Sequence, residues 1–343
     1  MSENKGHRTL SCCCIPSTVL LIDDKITFLE NMSLNLDTQL IYKLFDKPLE
    51  ALRYLKEDYH PSSIVNTWLS IFEDFEDDAD LTHQLINVDI ASIHKIIYAP
   101  CRFRRISTVL VDYAMPCMNG LDFCRQLSET KIKKALVTGE ADFRTAVNAF
   151  NEGVIDKFIV KDTPDFFEQI NSTIHELQHC YYQDLTSIVI RNLATNPNSC
   201  FCDKTFIDFF YQLTHQHAVA EFYLVDKFGS FLFLDFEGNI SWFIVKSEKD
   251  LEDYYDIALE NDAPASVINA LRCRGKVPFF FTESDQEEPV NNWGRFLHPA
   301  HKLEGKNTYY YSYIEGKSVY DIDTSKITSQ KDYLEKLQSG DYN

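Results

Sequence analysis

The sequence predicts two domains of different class: an α/β domain with a five-stranded, doubly wound sheet, followed by an α+β domain with a mostly antiparallel sheet. Three observations lead to this prediction. The chain has 343 residues, which exceeds the length of one ordinary domain. In the first half, short and uniformly apolar runs alternate with helical stretches. In the second half, apolar runs follow one another across glycine turns.

The overall charge narrows the possible functions. The chain is 45% hydrophobic and 25% charged, as globular proteins are, but its formal net charge is −19 and its sequence pI is about 4.9. Nucleic acid phosphates repel such an acidic protein. DNA binding is therefore not expected as the main activity.

Hydropathy and cysteine usage predict a cytoplasmic protein without a membrane segment. No run approaches the roughly 18 apolar residues of a membrane span, and residues 10–22 are interrupted by Pro16 and followed by Asp23 and Asp24. The ten cysteines show no repeated spacing. This is typical of free thiols in a reducing compartment.

The strands of the α/β domain are the short apolar runs, which we expect to be covered by helices on both faces. These runs are residues 19–22, 40–45, 109–111, 135–137 and 158–160. Helical patterns lie between them. In a doubly wound sheet the ligand site lies beyond the carboxyl ends of the strands.

Polar side chains with related chemistry follow these strands. Asp23 and Asp24 follow the first strand, Asp112 the third, Thr138 the fourth and Lys161 the fifth. Three carboxylates at one edge repel one another and need a hard cation, and a few protein oxygens plus water is how Mg²⁺ is bound. One carboxylate can then attack a phosphoryl group, while the lysine and the threonine hold the other phosphoryl oxygens. The set predicts an aspartyl phosphate.

The loop after the third strand carries a recognisable motif. It reads Asp112-Tyr-Ala-Met-Pro-Cys-Met-Asn-Gly120 and resembles the D-x-x-M-P-x-M-x-G loop of receiver domains in two-component response regulators. The resemblance implies a flavodoxin-like receiver that accepts a phosphoryl group on Asp112 from a sensor histidine kinase. A receiver of this kind catalyses its own phosphorylation and dephosphorylation.

The resemblance also implies roles for individual residues. The implied Mg²⁺ ligands are the side chains of Asp23, Asp24 and Asp112 and the backbone carbonyl of Ala114. Thr138 resembles the switch hydroxyl of the family. These are expectations from the family and do not follow from spacing alone.

Two further residues at the end of the sheet match the family. Lys161 resembles the lysine that binds the phosphoryl group, and Phe158 resembles the aromatic residue whose rotamer switches on phosphorylation. In the family a proline usually follows this lysine directly, whereas here Pro164 comes three positions later. The loop after Lys161 is therefore expected to depart from the family in shape.

An insertion, residues 58–106, is predicted within the receiver. Asp24 and Asp112 are 88 positions apart, more than two helices and one strand require. The insertion holds two apolar stripes with spacings of four, three and four: Ile64, Trp68, Ile71, Phe75 and Ile86, Ile90, Ile93, Ile97. This spacing predicts a pair of packed helices. The acidic stretch 73–78 between them is expected to be a solvated turn, with partner docking as the alternative.

A connecting helix is predicted over residues 163–193, which contain no glycine and no proline after Pro164. Apolar residues recur along it at spacings of three and four: Phe167, Ile170, Ile174, Leu177 and Tyr181. We interpret this stripe as the contact of a homodimer formed on phosphorylation. A helix face packed on its own domain is the alternative.

The second domain offers no familiar catalytic motif. It has no G-x-S-x-G elbow, P-loop, H-E-x-x-H sequence or evident helix-turn-helix. From Arg191 onward it holds 24 Asp and Glu against 15 Lys and Arg. A protein-interaction or dimerisation module is therefore favoured, with a nucleotide- or RNA-binding module and an unrecognised enzyme as alternatives.

Two side-chain groups in this domain are candidate sites. A candidate zinc set consists of Cys200, Cys202, His215 and His217. Each pair is spaced by two, which on a helix points the side chains apart, so zinc is disfavoured. A candidate basic patch for nucleotide or RNA consists of Arg272, Arg274, Lys276, Arg295, His298 and His301. A solvated surface over core aromatics is favoured.

The whole chain also resembles the Lqs-type quorum-sensing response regulators. Residues 231–238, 262–264, 278–281 and 293–300 carry this resemblance. It implies bacterial signalling, sensor histidine kinase partners, dimerisation on phosphorylation and an output domain that is not a standard DNA-binding module. The expected organisation is a mobile tail at 1–17 with the Cys12 to Cys14 triplet, a receiver at 18–175, the connecting helix, and an output domain at 194–343.

Overall fold

The chain divides into two compact units, which interleave along the sequence. The computed structural model describes residues 9–58, 67–74, 83–139, 142–195, 199–316 and 322–340. The α/β unit comprises Cys14–Thr67, Ala99–Thr186 and Thr328–Asn343. The α+β unit comprises Met1–Cys13, Trp68–Tyr98 and Ser187–Ile327.

A five-stranded parallel sheet forms the centre of the α/β unit. Its strands are β1 (Thr18–Ile22), β2 (Ile41–Phe45), β3 (Ile106–Asp112), β4 (Lys133–Thr138) and β5 (Lys157–Val160), in the order β2-β1-β3-β4-β5. Every residue of β1 and β3 is buried. The flavodoxin-like, doubly wound sheet predicted from the sequence is confirmed.

Helices cover both faces of this sheet: α1 (Ile26–Asn35), α2 (Pro48–Asp58), α3 (Gly120–Arg125), α4 (Phe143–Asn151) and α5 (Phe166–Leu193). Alternate strand residues point to opposite faces, because the strand period is two. One apolar cluster joins one set of strand residues to α2, α3 and α4. A second cluster joins the alternate set to α1 and α5.

The apolar stripe on α5 packs on its own sheet. Ile170, Ile174 and Leu177 belong to the cluster that covers this face of the sheet, and all three are at most 2% exposed. Tyr181 is also fully buried. The interpretation of this stripe as a dimer seam was wrong, because the receiver sheet already buries these side chains. Intramolecular packing, the alternative, is what the structure has.

The described part of the insertion is not a pair of packed helices. It holds two antiparallel strands, Leu69–Asp74 and His83–Val88, followed by three short 3₁₀ helices at Ile90–Ser92, His94–Tyr98 and Pro100–Arg104. The helical prediction was wrong because each stripe runs across several elements: Ile71 and Ile86 lie in the two paired strands, whereas Ile90 and Ile97 lie in separate 3₁₀ helices.

Parts of the insertion lie outside the described residues, among them Ile64, Phe75, Asp77 and Asp78. The predicted role of the acidic stretch therefore stays a prediction.

The cysteine triplet is part of the folded chain. Cys12, Cys13 and Cys14 are buried, and Cys13–Cys14 form a short strand beside the sheet of the α+β unit. The backbone N–H of Leu224 donates to the carbonyl oxygen of Cys12 at 2.7 Å. The prediction of a mobile tail was wrong for this segment, because its apolar side chains are buried and its backbone extends a sheet.

The α+β unit is built on an antiparallel sheet, as predicted. Its elements are α6 (Lys204–Gln216), β6 (Val219–Leu224), β7 (Phe231–Asp235), β8 (Ile240–Ser247), α7 (Glu248–Glu260), α8 (Ala265–Arg272), β9 (Lys276–Pro278), β10 (Leu297–Pro299), β11 (His301–Glu304) and β12 (Thr308–Glu315). The large sheet has the order Cys13–Cys14, β6, β7, β8, β12, β11, and β9 pairs with β10. Phe210 of α6 contacts four phenylalanine rings of this sheet.

The C-terminal helix Gln330–Ser339 belongs to the α/β unit. Its Tyr333 ring lies 4.9 Å from the ring of Phe103, and both side chains are buried. The guanidinium of Arg102 donates to the carbonyl oxygen of Thr328 at 2.7 Å. The end of the chain is thus a structural part of the unit that contains the parallel sheet.

Candidate functional site

The carboxyl edge of the parallel sheet collects the polar residues identified in the sequence. Asp112 and Thr138 are the last residues of β3 and β4, and Asp23 and Lys161 come directly after β1 and β5. The strands are in register, with Ile22 opposite Val111, Asp112 opposite Val137, and Thr138 opposite Val160. This register brings the strand ends to one edge of the sheet.

An acidic trio lies at this edge. One carboxylate oxygen each from Asp23, Asp24 and Asp112 lies within 4.8 Å of the others. Asp23 and Asp112 are 2% and 7% exposed, and within the described chain the buried Oδ1 of Asp24 has no hydrogen-bond partner. Crowded carboxylates with an unpartnered buried oxygen fit a hard divalent cation such as Mg²⁺.

The ammonium group of Lys161 bridges two of these carboxylates. Its Nζ lies 2.8 Å from Asp23 Oδ2 and 2.7 Å from Asp112 Oδ1. Burial by itself would lower the pKa of Lys161, but hydrogen bonds and charge attraction to Asp112 and Asp23 outweigh it and raise the pKa. Lys161 therefore carries its positive charge between the carboxylates of Asp23 and Asp112.

Asp112 is oriented by the loop that follows it. The backbone N–H of Ala114 donates to Asp112 Oδ2 at 3.0 Å. The loop closes when the N–H of Gly120 donates to the carbonyl oxygen of Tyr113 at 3.0 Å. A Cβ atom at position 120 would lie 2.3 Å from the backbone oxygen of Asp112. The last glycine of the motif is thus required by the close approach of two backbone segments.

Thr138 and Phe158 lie on neighbouring strands. The Thr138 side chain is buried, and its hydroxyl donates to the carbonyl oxygen of Gly139 at 3.3 Å. The half-buried ring of Phe158 meets the rings of Phe143 and Phe150 edge-on, with centroids 5.5 and 6.4 Å away. These two partners are 46% and 45% exposed. Phe158 therefore links the interior of the sheet to an aromatic surface on α4.

Comparison with known proteins identifies the family. The solved structure of the Legionella pneumophila response regulator LqsR matches with a TM-score of 0.82 and 38% sequence identity, covering 98% of this chain and 99% of that chain. This chain belongs to the LqsR family of response regulators. No protein-family model matches the chain, and no curated protein matches it.

Isolated receiver domains also resemble part of this LqsR-type regulator. A response regulator receiver domain protein from Clostridium thermocellum matches with a TM-score of 0.31 and 18% identity, covering 47% of this chain and 94% of that chain. A signal receiver domain from Pseudomonas fluorescens matches with a TM-score of 0.33 and 13% identity, covering 52% of this chain and 96% of that chain.

Among the described residues, no helix is both long and apolar enough to cross a bilayer.

The loop after Lys161 departs from the family pattern in a way the structure explains. Asp162, at the position of the usual proline, has a φ of +71°. Aspartate is among the few side chains that adopt this left-handed conformation readily. The hydroxyl of Thr163 then donates to the carbonyl oxygen of Val160 at 3.3 Å and closes the turn.

One residue of the LqsR-type site was missed by sequence reasoning. The Nζ of Lys161 lies 4.0 Å from the centroid of the Phe28 ring, which is half-buried in the first turn of α1. An aromatic residue on the inner face of a helix has the pattern of an ordinary core residue. No signal in the sequence distinguishes this contact from packing.

The candidate zinc residues do not form a metal-ligating cluster in the described part of the chain. Asp23, Asp24 and Asp112 are the metal-ligating cluster found in the described part of the chain. The thiol of Cys200 is buried and donates to the carbonyl oxygen of Phe228, and the ring of His217 stacks on Tyr313. These contacts occupy the thiol and imidazole in packing and hydrogen bonding.

Two residues of the candidate basic patch, Arg274 and Arg295, pair with acidic side chains. Arg274 lies 2.8 Å from Glu248 and 3.6 Å from Glu252, and Arg295 lies 2.6 Å from Glu288. Their charges are thereby balanced within the unit. This arrangement does not favour a phosphate-binding face on these residues.

Proposed function

We propose that this response regulator accepts a phosphoryl group on Asp112 from the phosphohistidine of a sensor histidine kinase. The observation that carries the proposal is the pair of contacts made by the Asp112 carboxylate. Lys161 lies 2.7 Å from Oδ1, and the N–H of Ala114 donates to Oδ2. The Asp112 carboxylate is thus held in place beside the Lys161 ammonium group, the positive charge that the transfer needs.

The proposed transfer exchanges one bond to phosphorus for another. A carboxylate oxygen of Asp112 attacks phosphorus, the P–N bond breaks, and the kinase histidine leaves with the electron pair of that bond. Lys161 and Thr138 hold phosphoryl oxygens by charge and hydrogen bonding. Asp23, Asp24, Asp112 and the Ala114 carbonyl would hold Mg²⁺, which when bound offsets repulsion between the carboxylates and the phosphoryl group.

The surface beside the site suits the docking of a kinase. Ile26 and Leu34 of α1 are 50% and 84% exposed, and Ile26 lies two positions after Asp24. A phosphohistidine that reaches Asp112 must bring its helix close to this edge of the sheet. We expect the apolar side chains of α1 to contact it, because their burial is favourable.

A matched pair of phosphodonors tests kinase docking. Ile26→Glu with Leu34→Glu is expected to slow transfer from phosphorylated kinase, while labelling by acetyl phosphate stays unchanged because the small donor needs no docking surface. Leu259→Glu, which replaces a 44%-exposed apolar residue of α7, is the control. Equal losses with both donors would show damage to the site and would exclude α1 as the docking surface.

Phosphorylation is proposed to change self-association through Phe158. A phosphoryl group that draws the Thr138 hydroxyl inward leaves space beside it, and a rotamer change of Phe158 into that space would uncouple it from Phe143 and Phe150. These two rings form an exposed aromatic surface, and we propose that a second copy of the chain binds there. This is a population shift driven by a local change of charge.

The output region is proposed to act as an interaction or dimerisation module. Its excess of acidic residues and the ion pairs of Arg274 and Arg295 favour this over the nucleotide- or RNA-binding alternative. An enzyme activity is the third candidate. The relation to LqsR supports a role in quorum-sensing signalling, and the expected location is the cytoplasm.

Intact mass and light scattering test the proposal directly. The wild type and Asp112→Asn are incubated with Mg²⁺ and acetyl phosphate, and mass and oligomeric state are measured together. A gain of one phosphoryl group in the wild type alone, with a shift from monomer to dimer, is expected. Equal labelling of Asp112→Asn, or no labelling by either acetyl phosphate or a cognate kinase, would refute the assignment of Asp112.

A double substitution tests whether the aromatic surface is the dimer contact. Phe143→Ser with Phe150→Ser is expected to accept the phosphoryl group normally but to remain monomeric, because the proposed contact is lost. Ile257→Ser, an exposed apolar residue of the α+β unit at 42% exposure, is the matched control and should still dimerise. A dimer that survives the double substitution would place the interface elsewhere.

A further inference from the structure

The ring of Phe28 contacts the ammonium group on which the proposed phosphoryl transfer depends. Its centroid lies 4.0 Å from the Nζ of Lys161, within the range of a cation–π interaction. The same Nζ is bonded to Asp23 and Asp112. We propose that Phe28 is a positioning residue that holds Lys161 in place for phosphoryl transfer. This inference rests on the proposed function.

A neutral aromatic ring suits this place better than a charged group. The edge of the sheet already holds the carboxylates of Asp23, Asp24 and Asp112. A further carboxylate would repel both those groups and the incoming phosphoryl group. The ring attracts the ammonium through its quadrupole, adds no net charge and offers no lone pair that competes with phosphoryl oxygens.

Phe28 is itself held firmly from two sides. Its N–H donates to the carbonyl oxygen of Lys25 at 2.9 Å, and the N–H of Lys25 donates to Asp23 Oδ1 at 2.9 Å. The Phe28 ring also lies 6.0 Å from the ring of Phe166, the first residue of α5. One helical turn therefore orients both a carboxylate partner of Lys161 and the ring that contacts it.

The contact between Phe28 and Lys161 can keep the ammonium group in position while the hydrogen bonds of Lys161 change. During transfer, Lys161 must give up its bond to Asp112 Oδ1 and bond a phosphoryl oxygen. The Phe28 ring can keep the ammonium in position through this exchange, because the cation–π attraction does not depend on either carboxylate. Without the ring, the flexible lysine chain has more positions to occupy, and fewer of them are productive.

Kinetics of labelling test this role. Rates of phosphorylation by acetyl phosphate are measured against donor concentration for the wild type, Phe28→Leu, Phe28→Tyr and Phe167→Leu. Phe28→Leu is expected to lower the maximal rate roughly three- to tenfold, the range of a partly desolvated cation–π contact, without changing the half-saturating donor concentration. Phe28→Tyr keeps the ring and should stay close to the wild type.

Phe167→Leu is the matched structural control. Phe167 is half-buried and packs against the same apolar cluster as Phe28, so its replacement costs similar packing. Its maximal rate should equal that of the wild type. Equal losses in Phe28→Leu and Phe167→Leu, or a Phe28→Tyr variant as slow as Phe28→Leu, would reduce Phe28 to a packing residue and overturn the inference.

A spectroscopic measurement separates this inference from the proposed function. Protons of the Lys161 methylene next to Nζ lie near the ring, so their NMR signals should be shifted upfield in the wild type and Phe28→Tyr and return toward ordinary values in Phe28→Leu. If the wild type takes up no phosphoryl group, the proposed function fails while this shift still tests the contact. Identical shifts in all three proteins would disprove the contact itself.

Discussion

The backbone at Gly120 passes so close to Asp112 that a Cβ atom there would lie 2.3 Å from the Asp112 carbonyl oxygen and 2.9 Å from Leu136 Cδ1. The nearest obstacle is backbone at the end of β3, which cannot turn aside as a flexible side chain can. The N–H of Gly120 also closes the loop by donating to Tyr113. The position of the Asp112 carboxylate, the proposed phosphoryl acceptor, therefore depends on a residue without a side chain.

Gly120→Ala is expected to displace the loop that holds Asp112. Overpacking against backbone should cost about 1–3 kcal/mol of unfolding free energy, and phosphorylation by acetyl phosphate should fall because Ala114 no longer orients the carboxylate. Thermal unfolding and intact mass measure the two effects. Gly139→Ala is the control for stability, since a Cβ there meets nothing within 4 Å. Equal stability of the two variants would contradict this account of Gly120.

Replacing Asp24 with asparagine should distinguish two effects of its carboxylate. One is its repulsion of the Asp23 and Asp112 carboxylates, and the other is its part in binding Mg²⁺. Without Mg²⁺, Asp24→Asn removes one of three crowded charges, so the unfolding free energy should rise by about 1 kcal/mol. Added Mg²⁺ should stabilise the wild type by mass action but leave Asp24→Asn almost unchanged. Thermal unfolding with and without Mg²⁺ measures both.

The control for Asp24 is Asp122→Asn, which removes an exposed carboxylate that pairs with Arg125 on α3. This variant should keep the full stabilisation by Mg²⁺. An equal Mg²⁺ response in Asp24→Asn and the wild type would show that the acidic trio is not the metal site.

The parallel sheet and the residues at its edge could be predicted because local pattern determines them. Each strand is a short apolar run covered on both faces, and Asp112, Thr138 and Lys161 each follow or end a run at the edge where ligands bind. The loop from Asp112 to Gly120 also carries a sequence motif. Its last residue is glycine because a Cβ atom there would collide with the backbone of Asp112. These inferences needed no knowledge of which distant segments pack together.

The insertion and the termini could not be predicted because their structure depends on such distant packing. Ile71 and Ile86 lie in two strands of the insertion, and they pair in register only once the two segments meet. The Cys13–Cys14 strand and Tyr333 are likewise fixed by partners far away in sequence. Phe28 falls in the same class, because its contact with Lys161 joins α1 to the end of β5.

Tyr333→Ala should destabilise the α/β unit although it lies at the far end of the chain. Tyr333 is 3% exposed and packs against the buried ring of Phe103, so removal of the ring leaves a cavity that should cost about 3–5 kcal/mol. Thermal unfolding and hydrogen exchange of β3 measure the effect. Glu335→Ala, on the exposed side of the same helix, should change little, because alanine is a good helix former and the side chain is exposed. Similar losses in both variants would show that the effect does not come from the Tyr333 cavity.

Acid should weaken the α+β unit through two histidines, the half-buried His94 and the buried His298. Burial, followed by the charge of Lys95, lowers the pKa of His94 from 6.5 to about 4, and burial, followed by Lys276, lowers that of His298 to about 4. Both stay neutral in the folded unit at pH values where the unfolded chain binds a proton. The unfolding free energy should therefore be highest above pH 6.5 and fall as the pH drops from 6.5 to 4.

His94→Phe should remove part of this pH dependence of the unfolding free energy. The His94 ring lies 5.0 Å from the ring of Phe281, and within the described residues its buried Nδ1 has no hydrogen-bond partner, so phenylalanine can fill the place without stranding a polar group. The loss between pH 6.5 and pH 4 should shrink by on the order of 2 kcal/mol, reduced from the full shift because the ring is partly solvated. Denaturant unfolding across this range measures it, with His215→Gln as the exposed control. A slope as steep in His94→Phe as in the wild type would mean that His94 does not titrate with unfolding.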